Sequence, residues 1–64
     1  MCLSTVYKTR NGEQTKMAEY VSGIRAEGKR ITVTDIMGTE TVMFGTLKSM
    51  DLVTNQIIIE DDAE

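Results

Sequence analysis

A short segment in which apolar and polar side chains alternate strictly, Arg30–Asp35, most constrains what this chain can fold into. Ile31 and Val33 would lie on one face of an extended strand, and the two threonines that alternate with them would lie on the other. A glycine turn signal stands on each side of the segment, Glu27-Gly28-Lys29 before it and Met37-Gly38-Thr39 after it. The pattern predicts a short strand with one buried face, joined to its neighbours by tight turns.

Most of the chain around this segment has the character of further short strands. Asn11-Gly12 is a strong hairpin signal because both residues tolerate positive φ. Val21 and Ile24 are three positions apart, which breaks strict alternation. A bulge at Gly23 would reconcile that spacing with a strand, and a short helical turn over residues 17–21 is the alternative. The additional strands are expected at residues 3–8, 13–18, 20–27, 41–44, 46–52 and 57–59, with a sharp bend at Gly45.

These elements predict an all-β fold, a small antiparallel barrel of SH3-like or Sm-like type with about six or seven short strands. Closing a small sheet on itself protects its edges, and the glycines at positions 23, 38 and 45 would lie where the sheet turns. A single domain is expected over residues 1–60, followed by an acidic C-terminal tail at residues 61–64. Phe44 is expected in the core. The apolar run at residues 57–59 is expected in a strand covered on both faces.

The chain has 64 residues, a formal net charge of −3, one cysteine and no histidine. A domain of this size buries a small fraction of its surface, and a lone cysteine cannot form an internal disulfide, so homodimerisation is the simplest way to bury more apolar surface. Without histidine, catalysis by a Cys/His or Ser/His pair within one chain is excluded, and so are zinc sites built from Cys and His.

The excess of acidic over basic residues also limits the partners that the protein can have. Nucleic-acid binding usually requires a basic patch, so a general phosphate-binding role is disfavoured. No apolar run approaches the roughly 18 residues of a membrane span, and the N-terminus carries no secretory signal. We therefore expect a cytoplasmic protein in which Cys2 is a reduced thiol.

Cys2 is the candidate metal ligand of the sequence. It lies beside the N-terminus, where the Met1 amine, the Cys2 amide and the Cys2 thiol fall within one or two chelate rings. A thiolate, an amine and a deprotonated amide form a planar N,S donor set that suits Ni(II) or Cu(II). Two chains related by a two-fold axis would supply two thiolates without any histidine. Position alone leaves open that Cys2 is a small buried residue at the start of a strand.

Two further groups carry possible cation ligands, and each has a simpler interpretation. The acidic residues at positions 60, 61, 62 and 64 could bind hard cations weakly, but a run of like charges is more typical of a solvated end. The methionines at positions 17, 37, 43 and 50 carry soft thioethers, but scattered methionines in a chain with one phenylalanine are more typical of core filling.

The basic residues at positions 8, 10, 16, 29 and 30 could contact RNA from the turns of a small barrel. Only Tyr7, Tyr20 and Phe44 could stack on bases, and base stacking is what carries single-strand binding. A nucleic-acid site is therefore disfavoured.

The first seven residues, Met1-Cys2-Leu3-Ser4-Thr5-Val6-Tyr7, resemble the CooT family of small nickel-binding accessory proteins of carbon monoxide dehydrogenase maturation. The resemblance continues through residues 21–38, Asp51-Leu52 and Ile57-Ile58-Ile59-Glu60, and so covers most of the chain. Its specific element is the cysteine at the second position. The resemblance implies a homodimer of small β-barrels in which two copies of Cys2 lie near the dimer axis and share one Ni(II).

The function that this resemblance implies is nickel delivery without catalysis. The protein would be a metallochaperone that binds Ni(II) through Cys2 and the N-terminal nitrogens, with Met1 as the source of the amine, and passes the ion to apo carbon monoxide dehydrogenase. Two alternatives stay open. One is an Sm-like RNA-binding module, whose RNA affinity would survive loss of Cys2. The other is a non-metal interaction domain that uses residues 57–59 at a protein interface.

Overall fold

The computed structural model of the protein describes residues 3–61, which form five β-strands. The strands are β1 (Ser4–Arg10), β2 (Glu13–Glu27), β3 (Arg30–Asp35), β4 (Glu40–Asp51) and β5 (Gln56–Asp61). The all-β class is confirmed, and the expected six or seven strands are corrected to five. The number is lower because β2 and β4 each run through a bend that the sequence pattern presents as a strand end.

The strands form one closed barrel in the order β1-β2-β3-β4-β5. Neighbours along the chain pair antiparallel, and β5 pairs with β1 in parallel, with Val6 opposite Ile57 and Lys8 opposite Ile59. The all-antiparallel expectation was therefore wrong for this one pair. With five strands that alternate in direction, the first and the fifth run the same way, so the pair that closes the sheet must be parallel. The SH3-like or Sm-like class and the homodimer stay predictions.

The first hairpin has the turn that its sequence predicts. Asn11 and Gly12 both have positive φ, 54° and 83°, which suits a two-residue turn matched to the twist of the flanking strands. The next hairpin turns at Gly28, with φ of 61°. Residues that tolerate positive φ therefore place a turn at each end of β2, Asn11-Gly12 before it and Gly28 after it.

β2 bends near Tyr20, whose φ is 56°. The residues before the bend pair with β1, with Ala18 opposite Val6. Val21 pairs with both β1 and β3, and the residues after it pair with β3. The register of the β2–β3 pair shifts between Val21 and Gly23, which confirms the predicted irregularity there. The alternative of a helical turn over residues 17–21 was wrong, because these residues lie within the strand.

β4 changes partners at Gly45. Up to Phe44 it pairs with β3, and from Gly45 onward it pairs with β5, where Gly45 lies opposite Asp61. A Cβ atom on Gly45 would lie 2.3 Å from the backbone oxygen of Glu60. The bend predicted at Gly45 is therefore a site of close backbone approach, which only glycine permits.

The core lies inside the closed sheet and consists of apolar side chains from all five strands. Its members are Val6, Val21, Ile31, Val33, Met43, Ile57 and Ile59. Phe44 was expected among them but is 57% exposed. Its neighbour Met43 occupies the inward position, and successive side chains of a strand face opposite ways.

Candidate metal centre

The predicted metal ligands lie outside the described residues. These ligands are the Cys2 thiolate and the N-terminal nitrogens contributed by Met1 and Cys2, and the described chain begins at Leu3. The structure does describe the sheet that this segment enters. β1 begins at Ser4, two positions after Cys2. The first residues of β1 are therefore the described part of the structure that lies nearest to the candidate ligands along the chain.

The first residues of β1 are held by strands on both sides. Ser4 lies opposite Val21 of β2, and Thr5 lies opposite Gln56 of β5. The backbone amide of Thr5 donates a hydrogen bond of 2.9 Å to the carbonyl oxygen of Asn55. The chain that leads away from Cys2 is therefore fixed in position within three residues.

The turn between β3 and β4, residues 36–39, adjoins the part of β2 that pairs with the start of β1. Val21, which pairs with the start of β1, also pairs with Asp35 at the end of β3. One carboxylate oxygen of Asp35 accepts hydrogen bonds from the backbone amides of Met37, at 2.9 Å, and Thr39, at 3.0 Å. An aspartate that captures the amides after it is a common way to order a turn.

The turn between β4 and β5, residues 52–55, is built in the same way and leads into β5, whose first residue pairs with Thr5. Asp51 lies opposite Gln56, the first residue of β5. Its carboxylate accepts hydrogen bonds from the backbone amides of Thr54, at 3.1 Å, and Val53, at 2.9 Å. These hydrogen bonds favour the charged form and hold the pKa of the Asp51 carboxyl below its ordinary value.

Both turns present apolar side chains to solvent, and each turn follows an aspartate whose strand partner pairs with a residue at the start of β1. The four residues, here called the N-terminal apolar surface, are Ile36, Met37, Leu52 and Val53. Met37 is 83% exposed and Val53 is 90% exposed. Sequence reasoning considered Met37 only as a thioether and did not predict an exposed apolar surface at these four positions. The available signal was an aspartate followed by two apolar residues, which occurs twice, at positions where turns usually carry polar residues.

The described part of the chain offers few metal ligands at this end. The carboxylates of Asp35 and Asp51 already accept hydrogen bonds from backbone amides. Within residues 3–61 no three His, Cys, Asp or Glu side chains are grouped so that they could hold a metal ion. The donor set that fits a soft or borderline ion is the one that the sequence places at the N-terminus, a thiolate with an amine and an amide.

Two of the acidic residues near the C-terminus, Glu60 and Asp61, belong to β5. Asp61, which the sequence pattern places in the tail, is the last residue of β5. Its carboxylate lies 3.6 Å from the Lys8 ammonium and 3.7 Å from the Arg10 guanidinium. Glu60 lies 3.6 Å from Lys48. The predicted tail positions 62–64 lie outside the described residues.

The four methionines are not brought together. Met43 is buried in the core, as the core-filling interpretation predicts, whereas Met17, Met37 and Met50 are exposed. Met37 lies in the turn between β3 and β4, whereas Met17 and Met43 line the same depression. The four thioethers are therefore not gathered into one site.

Most of the basic residues considered as an RNA contact lie beside carboxylates. Lys8 and Arg10 are close to Asp61, and Arg30 donates a hydrogen bond of 2.9 Å to Glu27. Lys16 bonds to Glu19, and this partner raises the pKa of Lys16. Lys16 and Arg30 each pair with one carboxylate, and Lys8 and Arg10 share a third, which weakens the attraction of a phosphate backbone.

Comparison with known proteins identifies the family. The family model for CO dehydrogenase accessory protein CooT matches residues 1–60. The crystal structure of a candidate CooT from Carboxydothermus hydrogenoformans superposes with a TM-score of 0.86 at 18% identity and covers 97% of this chain and 100% of its own. No curated protein matches significantly. Residues 3–61 contain no helix long and apolar enough to cross a membrane. The chain belongs to the CooT family and therefore has an accessory role for carbon monoxide dehydrogenase.

Proposed function

We propose that this protein is a nickel metallochaperone that performs no reaction of its own. It binds Ni(II) through the Cys2 thiolate and the nitrogens of the N-terminal backbone, and it delivers the ion to nickel-free carbon monoxide dehydrogenase. Membership of the CooT family supports the recipient. The observation that carries the proposal is the position of the only cysteine, two residues ahead of a strand that is held on both sides and flanked by exposed apolar turns.

The chemistry of delivery favours a terminal ligand set. A thiolate with an amine and a deprotonated amide binds Ni(II) tightly. A delivery protein must also release its ion by ligand exchange, which a closed cage of four protein ligands would hinder. Donors at the end of a chain can be displaced one at a time by donors of the recipient. The Met1 amine, where Met1 is retained, and the Cys2 thiolate meet this requirement.

The site is completed by a second copy of the chain. One chain offers a single thiolate, and a two-fold axis near the N-terminus would supply a second. The N-terminal apolar surface supports an association at this end, because each of its side chains contributes on the order of 1–2 kcal/mol when it leaves water. The two ordered turns hold these side chains outward before association, so less conformational entropy is lost when the two copies bind.

An interaction domain that binds no metal is the second candidate. The same apolar surface favours it, since a dimer could form there for reasons unrelated to Cys2. It predicts association that is unchanged by Cys2→Ser and a protein without preference for any metal. The RNA-binding alternative gains less support, because the pairing of Lys8, Arg10, Lys16 and Arg30 with carboxylates reduces the positive field that it needs.

An anaerobic Ni(II) titration of the reduced protein tests the proposal. Thiolate-to-nickel absorption is followed together with the oligomeric mass, with Cys2→Ser in parallel. We expect saturation at one ion per two chains and loss of tight binding in Cys2→Ser, with an unchanged circular dichroism spectrum. Equal nickel affinity in the variant would contradict the proposed ligand. Dimerisation without any nickel binding would support the interaction domain instead.

A further inference from the structure

The first part of β4 has one open edge within the described residues. Its residues 40–44 pair with β3, and pairing with β5 begins only at Gly45. Among residues 3–61 no second strand lies along the other side of residues 40–44. An open strand edge presents a row of unpaired N–H and C=O groups, and natural proteins usually cover such an edge. The chemistry of this edge therefore fits a segment of extended backbone.

One hydrogen bond of Gly45 shows which backbone groups point to the open edge. The Gly45 amide donates a hydrogen bond of 3.0 Å to the carbonyl oxygen of Lys29, just before β3, so the backbone groups of Gly45 point to the β3 side. In an antiparallel ladder the hydrogen-bonding direction alternates from one residue to the next. The amide of Met43 therefore also points toward β3, whereas the amides of Val42 and Phe44 point to the open edge.

The register of β5 against β4 leads directly onto this edge. Asp61, the last described residue, lies opposite Gly45, and the two strands are antiparallel. Each further step along β5 is therefore one step back along β4. Residues 62–64 follow Asp61 in the sequence, and three extended residues span about 10 Å. In an unchanged register they would lie opposite residues 44, 43 and 42, in that order.

The residue types at positions 62–64 match the two faces of the sheet in this register. Residues directly opposite each other in a ladder share a face. Ala63 would share the inner face with Met43, which is buried, and Asp62 and Glu64 would share the outer face with two exposed side chains of β4. A small apolar residue thus faces inward and two carboxylates face water. No two carboxylates lie directly opposite each other, an arrangement that would destabilise the pairing.

The end of β5 and the open edge of β4 border the same space. A depression of about 480 Å³ lies there, and its lining includes Asp61 and residues 42–44. The Asp61 carboxylate lies 3.6 Å from the Lys8 ammonium and 3.7 Å from the Arg10 guanidinium, and only 13% of the Asp61 side chain is exposed. These ion pairs hold the end of β5 in place, so the chain that leaves it starts beside the open edge.

We propose that residues 62–64 continue β5 along the open edge of β4 and cover it. This inference goes beyond nickel binding and does not depend on it. It replaces the solvated end that a run of like charges suggests. The backbone of Asp62 exchanges hydrogen bonds with that of Phe44, and the backbone of Glu64 with that of Val42. The covered edge can then no longer pair with a strand of another protein.

Amide hydrogen exchange of the full chain, followed residue by residue by NMR, tests the inference. Asp62→Pro removes the N–H that bonds to the Phe44 carbonyl oxygen. Ala63→Pro is the matched control, because the N–H of Ala63 points away from β4 in the same ladder. We expect the amides of Val42 and Phe44 to exchange about tenfold or more faster in Asp62→Pro than in the wild type or in Ala63→Pro. The Met43 amide, which points toward β3, should stay equally protected in all three proteins and shows that the fold is intact.

A contact between α-protons is the second measurement. Met43 and Ala63 would form a pair without hydrogen bonds, in which the two Cα atoms are about 4.5 Å apart, so a strong nuclear Overhauser effect between their α-protons supports the inference. Absence of this contact, or equal exchange at Val42 and Phe44 in the wild type and Asp62→Pro, overturns it. Faster exchange in both proline variants contradicts the proposed register and overturns it as well. Protection that appears only as the protein concentration rises would assign the edge to a second copy of the chain instead.

Discussion

The carboxylate of Asp51 accepts a hydrogen bond of 2.9 Å from the backbone amide of Val53, the most exposed of the large apolar residues described. One short polar contact thus orders the turn that presents an apolar side chain to water. Asp35 has the same relationship with Met37 in the turn between β3 and β4.

Asp51→Ala is expected to loosen the β4–β5 turn and to lower the thermal unfolding midpoint, because the amides of Val53 and Thr54 lose their acceptor. Asp51→Asn retains one acceptor oxygen and should fall between Ala and the wild type. Differential scanning calorimetry measures both. Equal midpoints for all three proteins would indicate that water replaces the carboxylate at no cost.

The stability of the fold should depend on pH through Asp51. Its pKa is lowered in the folded protein, so its contribution is present above the pKa of the unfolded chain and is lost as pH falls through the folded pKa. Glu27, whose pKa is lowered by Arg30, acts in the same direction.

Denaturant unfolding of the wild type and Asp51→Asn between neutral and acidic pH measures this dependence. The difference between the two proteins should shrink as pH falls, while the contribution of Glu27 remains in both. A carbon-detected NMR titration should place the Asp51 midpoint below that of an ordinary aspartate. A difference that grows toward acidic pH would contradict the assigned direction.

Gly45→Ala is expected to destabilise the protein by about 1–3 kcal/mol, because the new Cβ would lie 2.3 Å from the Glu60 backbone oxygen and the strands must move apart. Gly23→Ala is the matched control. A Cβ at Gly23 would have nothing within 4 Å, and its φ lies outside the left-handed region. Gly23→Ala should be neutral or stabilising by about 0.4–1 kcal/mol. Urea unfolding measures the free energy of unfolding of both variants. A similar loss of stability in each would mean that steric overlap is not the cause.

Replacement of the N-terminal apolar surface should weaken self-association. The double variant Leu52→Ser and Val53→Ser removes two of its four exposed apolar side chains, and we expect the dimer dissociation constant to rise about tenfold or more. Val42→Thr, which changes an exposed apolar residue on the outer face of β4, should leave the dimer dissociation constant unchanged. Analytical ultracentrifugation over a concentration series measures both. Equal sedimentation of the double variant and the wild type would place the dimer contact elsewhere.

The parts of the fold that depend on residues adjacent in the sequence could be predicted from the sequence. Asn11-Gly12 has the backbone angles that its turn requires, and the alternation at Ile31 and Val33 matches their burial. The number of strands was predicted less accurately, as six or seven instead of five. Gly45 resembles a strand end locally, yet β4 continues through it because pairing passes from β3 to β5, and this exchange depends on residues far away in the sequence.

The sequence also did not show reliably which side chains face the core and which face solvent. Phe44 is as apolar as any core residue, and only the register of β4 against β3 places Met43 inward and Phe44 outward. Asp61 resembles the acidic residues after it, and only the closure of the sheet brings it close to Lys8. For the metal centre, the donor chemistry of Cys2 could be argued from the residue type, whereas the choice of nickel came from the family resemblance alone.

The parallel pairing of β1 with β5 also has a consequence for how the protein folds. Thr5 and Gln56 come together only when the polypeptide between them has been ordered, and contacts between such distant segments form slowly. During synthesis the first strand leaves the ribosome long before its partner, so the start of β1 is held on one side only until β5 emerges. The residues that follow Cys2 thus reach their final position late in folding, and we expect nascent chains that lack β5 to capture metal less well than the folded protein.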